Sequence, residues 1–179
     1  SQALIFIAGG LPKGSKDIAS ARTRVLEGLS ILLPEAKKAG VTIAIEPLHP
    51  MLAANRSVLT TMKEANDWCD QLGAGPELGI AVDVYHVWWD PMLESEIKRA
   101  GSRIAAFHVN DWSDDTKDLR LDRGMMGDGV IDIPKIRKWV ESAGFNGYRE
   151  VEILSQNNWW KKPPEEVVKV VKERYQKFV

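Results

Sequence analysis

The sequence is short of the residues on which many functions depend. Cys69 is the single cysteine, which excludes a disulfide framework and a cysteine-type zinc site and fits a reduced, cytoplasmic setting. The net charge is −1, so no basic field invites nucleic acid and no polybasic segment invites a membrane surface. No apolar run approaches the roughly 18 residues of a membrane span, and no signal peptide is visible. Phosphate fingerprints are missing as well: nothing matches G-x-G-x-x-G or G-x-x-x-x-G-K.

What is present reads as one α/β domain over residues 1–179, in line with the length. Apolar runs alternate with helical periodicity five times, with strand starts near 3, 41, 78, 104 and 148. The strands are Ala3–Ala8, Val41–Ile45, Leu78–Val84, Ile104–Val109 and Tyr148–Leu154. Ile18–Ala39 is the first helix, in which Pro34 should produce a kink or a restart and which Gly40 should cap. Ser57 is the expected N-cap of a helix to Leu72. Asp90-Pro91 should open a helix to Ala100, Ile133–Ala143 is a further helix, and Pro164–Phe178 is the last. Buried strands alternating with helices mean a parallel sheet covered by helices. A (β/α)8 TIM-barrel type with five βα units, a partial barrel, is the expected fold; an open doubly wound sheet is the structural alternative.

The apolar runs share a feature. Glu46 ends the second, Asp83 the third, His108 lies in the fourth and Glu152 in the fifth. In a barrel the carboxyl ends of the strands form the face where sites are built. Buried carboxylates are costly unless paired or bound to metal. Taken singly, Glu46 reads as well as a surface group and His108 as a satisfied core histidine; one such residue per strand favours a metal site. Glu150 shares a strand face with Glu152, and Glu152 is chosen as the nearer to the carboxyl end. Three carboxylates and one imidazole form a hard set that suits Mn²⁺ or Mg²⁺, with Co²⁺ or Zn²⁺ possible in the same cage. Such a cage can polarise a carbonyl and its neighbouring hydroxyl while two carboxylates take and return a proton. That is the chemistry of ketose epimerisation and aldose–ketose isomerisation. Asp111 and Trp112, three and four residues after His108, are placed on the substrate side, although Asp111 also reads as a partner that supports a ligand or as a turn residue. Five tryptophans in loops after the ligands (Trp88, Trp89, Trp112, Trp159 and Trp160) suggest an apolar rim on which a sugar or cyclic polyol could stack.

The stretches Ile45-Glu46-Pro47-Leu48-His49-Pro50, Asp83-Val84-Tyr85-His86-Val87-Trp88-Trp89, Phe107-His108-Val109-Asn110-Asp111-Trp112, Asp122-Arg123-Gly124-Met125-Met126-Gly127-Asp128-Gly129-Val130-Ile131-Asp132 and Val151-Glu152-Ile153 resemble the sugar phosphate isomerase/epimerase family of xylose isomerase-like TIM barrels, from about Ala3 onward. The resemblance implies a divalent metal on Glu46, Asp83, His108 and Glu152, with Glu46 and Glu152 as the acid/base pair. It also implies that His86 contacts substrate oxygens and that Arg123 binds substrate. An inosose-type dehydratase using the same cage, and a metal-binding barrel without turnover, are the alternatives. An endonuclease IV-like nuclease fits less well, because only His49, His86 and His108 are available. The family barrel has eight strands. The chain is therefore expected to lack about three amino-terminal βα units, and its open sheet edges to be covered by a second copy or by further chain.

Overall fold

The computed structural model describes residues 2–73 and 75–179. Five strands form one parallel sheet in chain order: β1 (Ala3–Phe6), β2 (Thr42–Ile45), β3 (Leu78–Asp83), β4 (Ile104–Val109) and β5 (Arg149–Val151). The sheet curls into a half barrel. Its helices are α1 (Ile18–Ala39), α2 (Met62–Leu72), α3 (Val84–Val87), α4 (Leu93–Ala100), α5 (Ile133–Ser142) and α6 (Pro164–Phe178). Among the described residues, no helix is long and apolar enough to cross a membrane.

The two faces of the sheet are built from different residues. Ile43, Ile45, Ile80, Val82, Phe107 and Val109 point outward into the apolar layer shared with the helices. The inner face is lined by small side chains, Ala44, Ala81 and Ala106, with Ile5 against them. Side chains alternate with a period of two, so the next inward position after each alanine is Glu46, Asp83 or His108. Ala105 breaks the rhythm of β4. Ile80 pairs with Ile104, and Ala81 then pairs with Ala106. This extra residue allows Ile104 and Phe107 both to face the helical core before alternation resumes toward His108.

Local chemistry revises several boundaries. Helix α1 runs through Pro34 without a break; proline removes one backbone donor, but the twenty-two-residue helix continues on either side. Asp17 caps its start by accepting from the Ser20 amide at 2.9 Å, and Gly40 ends it with φ +65°. Thr61, not Ser57, caps α2: its hydroxyl accepts from the Glu64 amide at 3.1 Å. Ser57 is buried and donates to the Leu59 carbonyl at 3.0 Å. Asp90 accepts from the Met92 amide at 2.8 Å, and α4 begins at Leu93 rather than at Pro91. β3 stops at Asp83, whose side chain caps the short α3 through the Tyr85 amide. β1 and β5 are shorter than the apolar runs suggest, because β1 ends at Phe6 and β5 at Val151.

Gly79 occupies an inner-face position where a Cβ would lie 2.8 Å from both the Ala105 Cβ and the Arg103 carbonyl oxygen. Gly79→Ala is expected to destabilise the fold by about 1–3 kcal/mol through overpacking, read as a lowered denaturant midpoint with unchanged slope. An unchanged midpoint would show that this face is not close-packed.

Candidate metal centre

Glu46, Asp83, His108 and Glu152 come together at the carboxyl ends of β2–β5. Each offers one ligand atom, and these atoms all lie within 4.8 Å of one another. The His108 Nδ1 is 3.2 Å from Glu46 Oε1 and 3.7 Å from Glu152 Oε2. Backbone pairing carries the two glutamates past the ends of their strands. The Glu46 amide donates to the Phe6 carbonyl at 3.1 Å and the Glu152 amide to the Val109 carbonyl at 3.1 Å. Glu150, two residues before Glu152 on the same face, is exposed and outside the cluster.

Asp83 is fully buried, and both of its oxygens are partnered. Oδ1 accepts from the Tyr85 amide and from Asn110 Nδ2, each at 2.9 Å. Oδ2 accepts from Arg123 Nη1 at 2.7 Å, and the same nitrogen donates to Glu152 Oε2 at 2.9 Å. Arg123 therefore clamps two of the four carboxylate and imidazole groups. Its guanidinium also lies over the Tyr85 ring, 4.7 Å from the centroid.

The electrostatics follow from this crowding. Burial pushes the Glu46 carboxyl above its ordinary value, and the Asp83 charge adds to the effect against the opposing hydrogen bond from His108. Burial alone would lower His108, but the hydrogen bond to Glu46 and the charges of Asp83, Glu46 and Glu152 raise it to about 9. Burial opposes ionisation of Asp83 too; the charges of Arg123 and His108 and the hydrogen bond from Asn110 hold the carboxyl well below the usual range. One proton is thus held between His108 Nδ1 and Glu46 Oε1. Three carboxylates and an imidazole within one cluster fit a divalent cation that prefers oxygen, and such a cation would have to displace that proton.

A cavity of about 350 Å³ opens on the cluster and is lined by Glu46, His86, His108, Arg123 and Glu152, with Leu48, Leu52, Leu154 and Trp160 on its apolar side. His86 Nδ1 accepts from the His49 amide at 3.1 Å. The neutral ring then carries its proton on Nε2, a tautomer assigned from that bond. Burial lowers His86 to about 4, with the Asp83 charge acting in the other direction. The Nε2 sits 3.2 Å from Arg123 Nη2, so two donors face each other there.

The remaining substrate-side residues are placed elsewhere. Asp111 does not line the cavity; its Oδ1 accepts from the amides of Trp112 (2.9 Å) and Ile131 (3.0 Å), and its Oδ2 from Gly127 (2.9 Å). It organises the loop that carries Arg123. Trp112 also stands away from the cavity, stacked 4.9 Å from His49 and 4.7 Å from Tyr85 between ring centroids. Of the five loop tryptophans only Trp160 reaches the cavity wall; Trp88 and Trp89 pack around Trp112 and His49, and Trp159 is buried. The rim expected from sequence is therefore an aromatic stack behind His86. Sequence reasoning also passed over Asn110, which the period of two places on the same face as His108.

Comparison with known proteins agrees with this architecture. No functionally curated protein matches the chain by sequence. The crystal structure of protein SMc04130 from Sinorhizobium meliloti 1021 is 54% identical, with a TM-score of 0.96, over 99% of this chain and 64% of that one. The IOLI protein with a bound zinc atom is 20% identical with a TM-score of 0.78, over 99% of this chain and 64% of its own. An L-ribulose 3-epimerase is 20% identical with a TM-score of 0.68, over 94% of this chain and 52% of its own. The chain thus spans less than two thirds of the length of these proteins. Residues 2–174 match the family described as xylose isomerase-like TIM barrel, and the chain belongs to that family.

Proposed function

We propose that this chain carries the metal-binding and proton-transferring groups of a sugar isomerase or epimerase acting on a ketose or related polyol. The observation that carries the reading is the convergence of three carboxylates and one imidazole within 4.8 Å, three of which, Glu46, His108 and Glu152, line a cavity of about 350 Å³. That donor set suits Mn²⁺ or Mg²⁺, and Co²⁺ or Zn²⁺ fit the same groups. When bound, such an ion polarises a carbonyl and its neighbouring hydroxyl.

The chain's own groups supply the rest. Glu46 extends from β2 and Glu152 from β5, with β3 and β4 between them, so the two carboxylates reach a sugar from different sides. One takes the proton from the carbon beside the carbonyl, and the other returns one to the opposite face. The raised proton affinity of Glu46 is in the direction expected of a carboxylate that must accept a proton as well as release one. His86 has an Nε2–H with a guanidinium opposite it; a hydroxyl oxygen of the substrate would give that donor an acceptor. Leu48, Leu52, Leu154 and Trp160 form the apolar side of the cavity in which the reacting carbon would lie. The similarity to an L-ribulose 3-epimerase supports the reading at the level of fold.

Glu46→Gln and Glu152→Gln should each slow exchange of the substrate hydrogen with solvent deuterium by about 100-fold or more. Metal occupancy is measured on the same samples. A metal-loaded variant that exchanged at the wild-type rate would remove that glutamate from the role.

The proton held by His108 and Glu46 gives a second test. Calorimetric titration with Mn²⁺ in buffers of different ionisation enthalpy should show about one proton released. Affinity should rise with pH up to the His108 value of about 9. The metal-free chain should behave in the opposite sense. A histidine whose folded pKa is raised stabilises fully below its ordinary value of about 6.5, and the stabilisation is lost as pH climbs through about 9. Stability measured with chelator present should fall over that window. A flat profile would show that His108 is not charged in the fold.

β1 pairs only with β2, and β5 only with β4, among the described residues. We propose that a second copy or further chain covers these two edges. Sedimentation of the chain showing a soluble monomer with rapid amide exchange along both β1 and β5 would overturn this.

A further inference from the structure

The cavity over the cluster has a second polar feature that the proton-transfer chemistry does not use. Arg56 and Arg120 both line it, and they come from different loops. Arg56 lies in the turn after Pro50–Leu52, held by its amide to the Leu52 carbonyl at 2.9 Å. Arg120 lies in a turn built on Asp118, whose Oδ1 accepts from the amides of Arg120 (2.8 Å) and Leu121 (3.1 Å). Both backbones are therefore fixed, while both side chains are exposed. Neither guanidinium has a hydrogen bond or ion pair to a side chain among the described residues. The contrast with Arg123, which lines the same cavity and is fully engaged with Asp83 and Glu152, is one of charge balance. Glu46, Asp83 and Glu152 carry three negative charges when ionised. Arg123 and a divalent ion together supply three positive ones. Within the cluster and the cavity lining the two remaining guanidiniums are then surplus, beside a leucine-lined wall, in a space that a neutral sugar does not require them to fill.

We propose that Arg56 and Arg120 form an oxyanion subsite that binds a phosphate or carboxylate group on the end of the substrate remote from the reacting carbon. The substrate class is thereby narrowed from a neutral sugar to an anionic one; this rests on the isomerase or epimerase reading for what lies at the other end of the cavity. Guanidinium is suited to the task because its planar donors match the oxygens of either group. The turns present it without help from a helix terminus or a glycine-rich loop, which is why no phosphate fingerprint stands in the sequence.

The test uses the Mn²⁺-loaded full chain and three probes, D-fructose, D-fructose 6-phosphate and D-tagaturonate, each titrated calorimetrically. Arg56→Gln, Arg120→Gln and the double variant are compared with Arg24→Gln, a change on the exposed face of α1 that alters net charge alone. At least one anionic probe should bind about tenfold or more tightly than D-fructose. The double variant should lose that advantage while binding Mn²⁺ and D-fructose as the wild type does. A gain for the phosphate alone identifies a phosphate monoester site, and an equal gain for the carboxylate a general oxyanion site. No gain for either anion, a gain that survives in the double variant, or an equal loss in Arg24→Gln overturns the subsite. Failure of Mn²⁺ to bind at all, with arginine-dependent phosphate binding intact, would strike the isomerase reading and leave the subsite standing.

Discussion

The buried charge of Asp83 is the constraint around which the rest of the site is arranged. An ionised carboxylate with no exposure costs several kcal/mol unless its surroundings replace the water it has lost. Here the replacement comes from three directions: the first turn of α3 through the Tyr85 amide, β4 through Asn110, and the 112–130 loop through Arg123. Arg123 has a second duty, since it reaches on to Glu152, while Asn110 lies two residues beyond His108 on the same face. Removing any of these would leave a buried charge short of a partner, and loss of Arg123 would also release Glu152.

That dependency explains the form of the long loop. Arg123 is pinned on both sides by backbone pairing, with its amide donating to the Leu154 carbonyl at 3.0 Å and Gly124 exchanging hydrogen bonds with Asp111 at 2.9 and 3.0 Å. Asp111 then gathers three further amides. The glycines are required by space and conformation: a Cβ at Gly129 would fall 2.1 Å from the Trp112 carbonyl oxygen, and Gly127 has φ +86°. The Arg-Gly-Met-Met-Gly-Asp-Gly stretch is thus a folded bracket for one guanidinium.

Much of this was legible in the sequence, and the reasons differ by residue. The four clustered side chains follow from strand alternation, since Glu46, Asp83 and His108 each lie two residues after an inward alanine. Glu152 was separable from Glu150 because distance along the strand is also readable. Thr61 rather than Ser57 caps α2, because local chemistry does not say which of several hydroxyls will face a helix end; the buried Ser57 donates to the Leu59 carbonyl instead. The roles of Asp111 and Trp112 depend on contacts within the loop and with His49 and Tyr85 that no spacing rule predicts. Arg123 was visible only through family resemblance, and its bridging of two carboxylates only through coordinates.

The proton between His108 and Glu46 links the two halves of the chemistry. While it is present the imidazole cannot offer Nδ1 to a cation, and Glu46 is partly neutralised by its neighbour. A cation held by Glu46, Asp83, His108 and Glu152 would require loss of that proton, and Glu46 would lose its hydrogen-bond donor with it. Without that donor the carboxylate would face the cavity with its proton affinity set by burial and by the Asp83 charge. Glu46 is thus tied to His108 for as long as the shared proton stays in the cluster. The cost is a cluster that, without metal, relies on one shared proton and on Arg123 to keep three carboxylates together.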